Sequence, residues 1–324
     1  MPRKLVWHLD QLALVTIVLL GLSCSSDNEP IESSPAPRFS PPQLVEIQGY
    51  EDHAMEPFLS RDGTILMFND LNQDQLDGQP HDTDLHWAIR LDDSHFRYQG
   101  PIEGAASDEL PHVNELEGVA SMDAAGTFVF VSAIGATTPG DPRYLCLLRS
   151  APFHEGSLGS ESVLPRLLLS PDETPENINF DAELQADGRT LYFTEGRFAG
   201  QPWPDTADIG LALRGEDGPF FVPVGTKEKM AAINTAALEY AACGSRDGRE
   251  LFFSRAQGSA ENGFRFSLLL ARREEASQPW GSIQLIADGG SDVLEAPALS
   301  PDGRLLYYHR PHQGVFHIWV CTRL

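Results

Sequence analysis

Apolar residues in this chain fall in short runs separated by polar turns, and from about residue 44 onward one run pattern recurs five times. The segments are EPFLSRDGTILMFND from Glu56, EGVASMDAAGTFVFVSA from Glu117, AELQADGRTLYFTEG from Ala182, EYAACGSRDGRELFFSRA from Glu239 and EAPALSPDGRLLYYHR from Glu295. Each reads as an acidic residue, a short apolar strand, a turn that usually contains Asp-Gly, and a strongly apolar or aromatic strand. Glycine accepts the positive φ of a tight hairpin, and the preceding aspartate can bond its own backbone two residues on, so Asp-Gly predicts a hairpin. The turn glycines Gly63, Gly126, Gly188, Gly248 and Gly303 are spaced by 63, 62, 60 and 55 residues. A period near sixty residues corresponds to one propeller blade with generous loops.

The runs after the turn, such as Thr190 to Phe193 and Leu305 to Tyr308, are apolar at successive positions. That pattern predicts strands packed on both faces, as between neighbouring blades. A third strand follows in each repeat: DLHWAIR from Asp84, RYLCLLR from Arg143, DIGLALR from Asp208, FSLLLARR from Phe266 and FHIWVCTR from Phe316, each ending in arginine. Fourth strands follow in four repeats, for instance FFVPVG from Phe220 and SIQLIADG from Ser282, while the last repeat ends two residues after Thr322. LVEIQG, Leu44 to Gly49, has the character of the missing strand and is expected to pair with the last blade, which would remove both open sheet edges. The expected fold is all-β: a single β-propeller over residues 43–324, of about five four-stranded blades, closed by this N-terminal strand.

Ahead of the repeats, Arg3 and Lys4 precede an apolar run from Leu12 to Leu22 that reads as a signal-peptide core, too short for a spanning helix of about twenty residues. Cys24 closes that run after small or apolar residues, which resembles the lipobox of bacterial lipoproteins, although Gly21 stands where that pattern has leucine. The resemblance implies cleavage after residue 23, a lipidated Cys24, and a cell-envelope protein held by its lipid, most readily at the outer membrane facing the periplasm or cell surface. Residues 24–42 are rich in Ser and Pro and read as a tether.

With 47 acidic and 23 basic residues the formal charge is -24. Removing residues 1–23 takes away Arg3, Lys4 and Asp10, so the mature charge becomes -25. Such a field repels nucleic acid and anionic lipid, so the membrane would be met through the lipid alone. Cys146, Cys243 and Cys321 each stand alone in apolar runs and read as buried free thiols.

EAPALSPDGRLLYY resembles the TolB-like, WD-type propeller repeat of bacterial envelope proteins. INTAALEYAACGSRDGRELFFS, from Ile233, resembles the variant in which Ile-Asn-Thr precedes the glutamate. The resemblance covers about residues 44–324. It implies a propeller used as a platform for protein partners.

Glu56, Glu117, Glu183, Glu239 and Glu295 recur once per blade at the entrance to the innermost strand, and are expected to ring the mouth of the central channel. Two readings stay open: a site for a cation or basic peptide, or five caps that each accept backbone hydrogen bonds. Glycoside hydrolysis needs two carboxyl groups in unlike environments, which five equivalent acids would not supply. DLNQDQLDG, Asp70 to Gly78, loosely resembles a calcium loop, but His81 stands where the closing glutamate belongs, so it reads as a solvated loop. His309, His312 and His317 lack a known ligand spacing. Trp87, Trp203 and Trp280 could stack on sugar or pack blade edges. Neither a Gly-X-Ser-X-Gly elbow, a phosphate-binding glycine loop nor HExxH is present. The expectation is a non-catalytic, lipid-anchored propeller binding an envelope protein or peptide, without cofactor, calcium or another cation being the weaker option. The alternative is a glycan-binding or glycoside-hydrolysing five-bladed propeller.

Overall fold

The computed structural model describes residues 37–70, 83–104, 115–134, 145–170, 177–197, 204–215, 218–259 and 261–324. The signal segment, Cys24, most of the tether, Gly78, His81 and Trp203 lie outside the described residues. Two short strands come first, β1 (Gln43–Leu44) and β2 (Glu46–Gln48). Blade 1 is β3 (Met55–Leu59), β4 (Ile65–Asn69), β5 (Leu85–Arg90) and β6 (His95–Pro101). Blade 2 is β7 (Glu115–Met122), β8 (Thr127–Ile134) and β9 (Leu145–His154), with β10 (Ser157–Leu158) and β11 (Ser162–Val163) along β9. Blade 3 is β12 (Asn177–Leu184), β13 (Thr190–Arg197) and β14 (Thr206–Leu213). Blade 4 is β15 (Leu238–Gly244), β16 (Glu250–Ser259), β17 (Gly263–Arg272) and β18 (Gly281–Gly290), and blade 5 is β19 (Glu295–Leu299), β20 (Leu305–His312) and β21 (Val315–Thr322). These five antiparallel sheets form the ring of a five-bladed β-propeller.

The doubly apolar second strands do what their sequence implies. In β4, Leu66 and Phe68 pack toward blade 5 beside Tyr307, while Met67 packs toward blade 2 beside Phe128 and Phe130. In β13, Leu191 and Phe193 meet Val129 and Val131 of blade 2, while Tyr192 meets Leu251 and Phe253 of blade 4. The core is thus a set of inter-blade layers. Burying each such side chain stabilises by about 2–3 kcal/mol.

Closure is more divided than expected. Gln43 and Leu44 pair with Val320 and Trp319 of β21, but Glu46–Gln48 cross over to run parallel to β6 of blade 1. Val45 and Ile47 both point into the seam between blades 5 and 1, and the exposed Glu46 and Gln48 alternate with them, so one strand stitches two blades. Pairing begins earlier than residue 43, since Phe39 bridges Arg323 and packs edge-on to Phe252.

The expected fourth strand at Phe220 shrinks to one bridge, Leu213 to Phe221. Pro219 and Pro223 flank it, and neither can donate to a ladder. The recurring arginine also has a structural meaning in three blades: Arg90, Arg214 and Arg273 donate to the carbonyls of turn glycines Gly63, Gly188 and Gly248. Arg149 is out of register with these. It lies mid-strand opposite Phe130 and pairs with Glu161.

Candidate functional site in the central channel

Every innermost strand carries a bulge at the same place. Register shifts fall between Met55 and Phe58, Gly118 and Ser121, Phe180 and Glu183, Tyr240 and Cys243, and Glu295 and Ala298. Each contains one non-glycine residue at positive φ: Glu56 at 50°, Val119 at 54°, Asp181 at 47°, Ala241 at 49° and Ala296 at 55°. Left-handed backbone at such residues costs of order 1 kcal/mol each and persists only where surrounding structure enforces it. Bulges re-aim side chains, and these lie along the wall of the channel.

Measured from the bulge, the five glutamates are not equivalent. Glu56 is the bulge residue, Glu295 precedes it by one, Glu117 and Glu239 precede it by two, and Glu183 follows it by two. Their side chains therefore enter different surroundings.

Glu239 is fully buried and held by the Thr235 hydroxyl at 2.6 Å, the Thr235 amide at 2.9 Å and the Arg255 guanidinium at 2.6 Å. Asn234 beside it donates to and accepts from the backbone of Ile209 in blade 3. The Ile-Asn-Thr motif is thus a staple between blades. Glu183 accepts from the Gly244 amide at 2.7 Å, Gln185 at 2.8 Å and Arg61 at 3.0 Å, on the hairpin side of the channel. Glu117 is buried, and its amide donates to the Thr83 carbonyl.

Glu56 and Glu295 come together instead with Asp181, His309 and Tyr240. The Glu56 amide donates to His309 Nδ1 at 3.0 Å. A proton on Nδ1 would face that amide hydrogen, so the imidazole carries its proton on Nε2, which lies 3.2 Å from a Glu295 oxygen. The Tyr240 hydroxyl donates to the other Glu295 oxygen. Asn69 reaches Glu56 and also accepts from the Val119 amide.

These carboxyl groups are driven apart in proton affinity. Burial raises Glu56, helped by the charge of Glu295 and opposed by His309 and the Asn69 hydrogen bond. Burial also pushes Asp181 well above the usual carboxylate range, and Glu56 and Glu295 add to it. Burial likewise opposes ionisation of Glu295, but the His309 and Tyr240 hydrogen bonds outweigh it and hold that carboxyl below its ordinary value. The arrangement can keep one carboxyl ionised beside neighbours that retain protons.

The channel cavity is about 30 Å³, room for about one water, so an organic ligand would have to lie across the mouth. At the opposite, hairpin mouth, a basin of about 520 Å³ is lined by Gln185, Ser245, Arg246 and Asp302, with Arg61 crossing toward blades 2 and 3.

Trp280 is buried with Arg273 lying 3.9 Å over its ring, and Trp87 packs edge-on to Phe153. Both pack within the fold. Of the three histidines singled out, His309 joins the carboxyl cluster, whereas His312 packs against His317 and Trp319. Asp181 and Tyr240 escaped notice because they lie where the repeat grammar shows only strand. A signal was present: from acid to turn glycine the distances are 7, 9, 5, 9 and 8 residues, too uneven for one structural position.

No family model and no curated protein sequence matches the chain. Among solved structures, the fold is similar to a glycoside hydrolase at 11% identity and TM-score 0.53, covering 86% of this chain and 90% of that one. It is also similar to the α-L-arabinanase of Cellvibrio cellulosa at 11% identity and TM-score 0.50, covering 83% and 91%. At such identity the likeness establishes the five-bladed propeller. The expectation of a non-catalytic protein-binding platform is corrected: the solved structures that share this fold are glycoside hydrolases. The argument against glycoside hydrolysis, five equivalent acids, does not hold on the strand register.

Proposed function

We propose that this propeller acts on glycosides at the channel mouth marked by Glu56, Asp181 and Glu295. The observation that carries the reading is that three carboxyl groups from blades 1, 3 and 5 meet at the channel in unlike surroundings: Glu295 is bonded by His309 and Tyr240, which lower its proton affinity, whereas burial raises that of Glu56 and Asp181. Breaking a glycosidic bond needs a protonated carboxyl to give its hydrogen to the leaving oxygen, and an ionised one to activate water or attack the sugar carbon. Burial raises the proton affinity of Glu56 and Asp181 and suits them to the acid role, whereas the His309 and Tyr240 hydrogen bonds lower that of Glu295 and suit it to act as base or nucleophile. The similarity to glycoside hydrolases supports this choice of substrate class. The resemblance to TolB-like repeats stands only as far as the five-bladed propeller, since the similar solved structures are glycoside hydrolases; the hairpin repeat forms the blades and leaves the channel acids free to differ. With Cys24 lipidated, the enzyme would work at the cell envelope.

The test is a panel of 4-nitrophenyl furanosides and pyranosides together with soluble polysaccharides, assayed for released sugar. At least one substrate should be hydrolysed, with Glu295→Gln and Glu56→Gln each losing about 10²–10⁴-fold while melting like the parent. A folded protein inactive on the whole panel, or activity that survives both substitutions, would refute the reading.

A further inference from the structure

Outside the channel cluster, one group of side chains in blade 1 has the composition and geometry of a metal site. Strands β4 and β5 are antiparallel with Phe68 opposite His86 and Asn69 opposite Leu85, so Asp70 and Asp84 leave the pair side by side. The Asp84 amide donates to Asp70 Oδ1 at 2.9 Å, and the Asp70 amide donates back to the Asp84 carbonyl at 3.3 Å. His86, two residues after Asp84, projects to the same side of the strand. One donor atom from each of Asp70, Asp84 and His86 lies within 4.8 Å of the others.

The histidine supplies the second, independent observation. His86 is 7% exposed, and its ring is held by Phe68, stacked at 5.4 Å, and Tyr50 at 5.3 Å. Nδ1 lies 2.9 Å from the Tyr98 hydroxyl. Nε2 is buried without a hydrogen-bond partner and is aimed at Asp70, whose Oδ2 lies 3.5 Å away, beyond good hydrogen-bond length. When Nδ1–H donates to the Tyr98 oxygen, the Nε2 lone pair points at the two carboxylates. That is the outer hydrogen bond with which proteins orient metal-binding imidazoles.

We infer that Asp70, Asp84 and His86 bind a divalent transition-metal ion of the zinc type. One imidazole nitrogen and two carboxylates suit zinc and its neighbours in the first transition row, whereas calcium takes six to eight oxygens. Water completes the coordination. Because Asp70 follows Asn69, which contacts Glu56, the ion would fix the strand end that supports the channel cluster. The assignment stands whether or not the glycoside reading does.

The test is titration of the chelator-treated full-length protein with Zn²⁺ by calorimetry, and with Co²⁺ by visible absorption. One equivalent should bind, and Co²⁺ should give the ligand-field bands of a low-symmetry nitrogen and oxygen site. Asp70→Asn and Asp84→Asn, both at partly exposed positions, should each weaken binding at least tenfold while leaving the circular dichroism spectrum unchanged. Asp92→Asn, at the exposed Asp92–His95 pair, should bind like the parent. Zn²⁺ should raise the melting temperature of the parent and not of Asp70→Asn. No saturable binding up to about millimolar Zn²⁺, or equal binding by the parent and both site variants, would overturn the assignment.

Discussion

Arg61 ties three blades together on the hairpin side of the channel, and replacing it by Met isolates that contribution. Its Nε donates to the Met122 carbonyl at 3.0 Å, its Nη2 to Glu183 at 3.0 Å and to the Leu184 carbonyl, and its guanidinium lies 4.9 Å over the Phe58 ring. The Arg61 and Glu183 side chains are only 14% and 9% exposed, so little water can replace what is lost. Complete orphaning of a buried carboxylate costs about 3–5 kcal/mol, but Glu183 keeps the Gly244 amide and Gln185 as donors. The expected cost of Arg61→Met is therefore about 3 kcal/mol, the lower end of that range. Glu183→Gln should cost about 2 kcal/mol, since Arg61 keeps both carbonyls. If the pair interacts as the geometry says, the double variant costs about 3 kcal/mol, leaving a coupling of about 2 kcal/mol. Thermal unfolding reads this as a fall of roughly 6 °C for Arg61→Met, at about 2 °C per kcal/mol for a chain of this size. Additive single costs, with coupling below about 0.5 kcal/mol, would refute the role given to Arg61.

Tyr240→Phe removes a donor that favours ionised Glu295, so the pKa of Glu295 should rise and the acid limb of the hydrolysis rate should move to higher pH; a limb that stays put removes Tyr240 from the site. The alkaline limb of the parent should fall above the ordinary carboxylate range, where Glu56 and Asp181 lose their protons, as a kcat/KM profile against pH would report. Hydrogen bonds from Ser300 and Ser245 hold Asp302 and Asp247 below their usual values, so their stabilisation is present above the unfolded carboxylate pKa and is lost as pH falls through the lower folded one. Ser300→Ala should cost about 1 kcal/mol at neutral pH, with the gap in melting temperature from the parent narrowing in acid. Burial raises the Cys146 thiol to about 12 and the thiols of Cys243 and Cys321 above their ordinary value, so a disulfide-exchange reagent at pH 8 should label none of them quickly until denaturant is added.

The blades were legible because their cause is local. Asp-Gly turns and runs such as Leu305 to Tyr308 encode hairpins with two apolar faces, and inter-blade packing uses both faces as the pattern implies. The stitch across two blades was half legible: the apolar Val45 and Ile47 were visible, but which strand each neighbour pairs with depends on the seam they fill.

The channel acids were not legible, and the reason is the bulge. An extra residue in each inner strand shifts the register by one, and a one-residue shift in a strand sends a side chain to the opposite face. Aligning the repeats on their glutamates therefore mixes positions, whereas counting seven residues back from each turn glycine reaches the bulge residue of every blade: Glu183 and Glu56 look like members of one series, yet one is held by Arg61 and the other meets His309. Asp181 sits at the bulge position of blade 3, where blades 2, 4 and 5 carry Val119, Ala241 and Ala296. A residue that serves the repeat should recur at that position, and an acid there in only two blades does not. The same reasoning separates Glu239, whose Thr235 and Arg255 partners belong to its own blade, from Glu295, whose Tyr240 partner comes from the blade before. In a closed ring, side chains that look across to another blade can differ from repeat to repeat without disturbing any one hairpin, so chemistry gathers at the bulges while the turns stay alike.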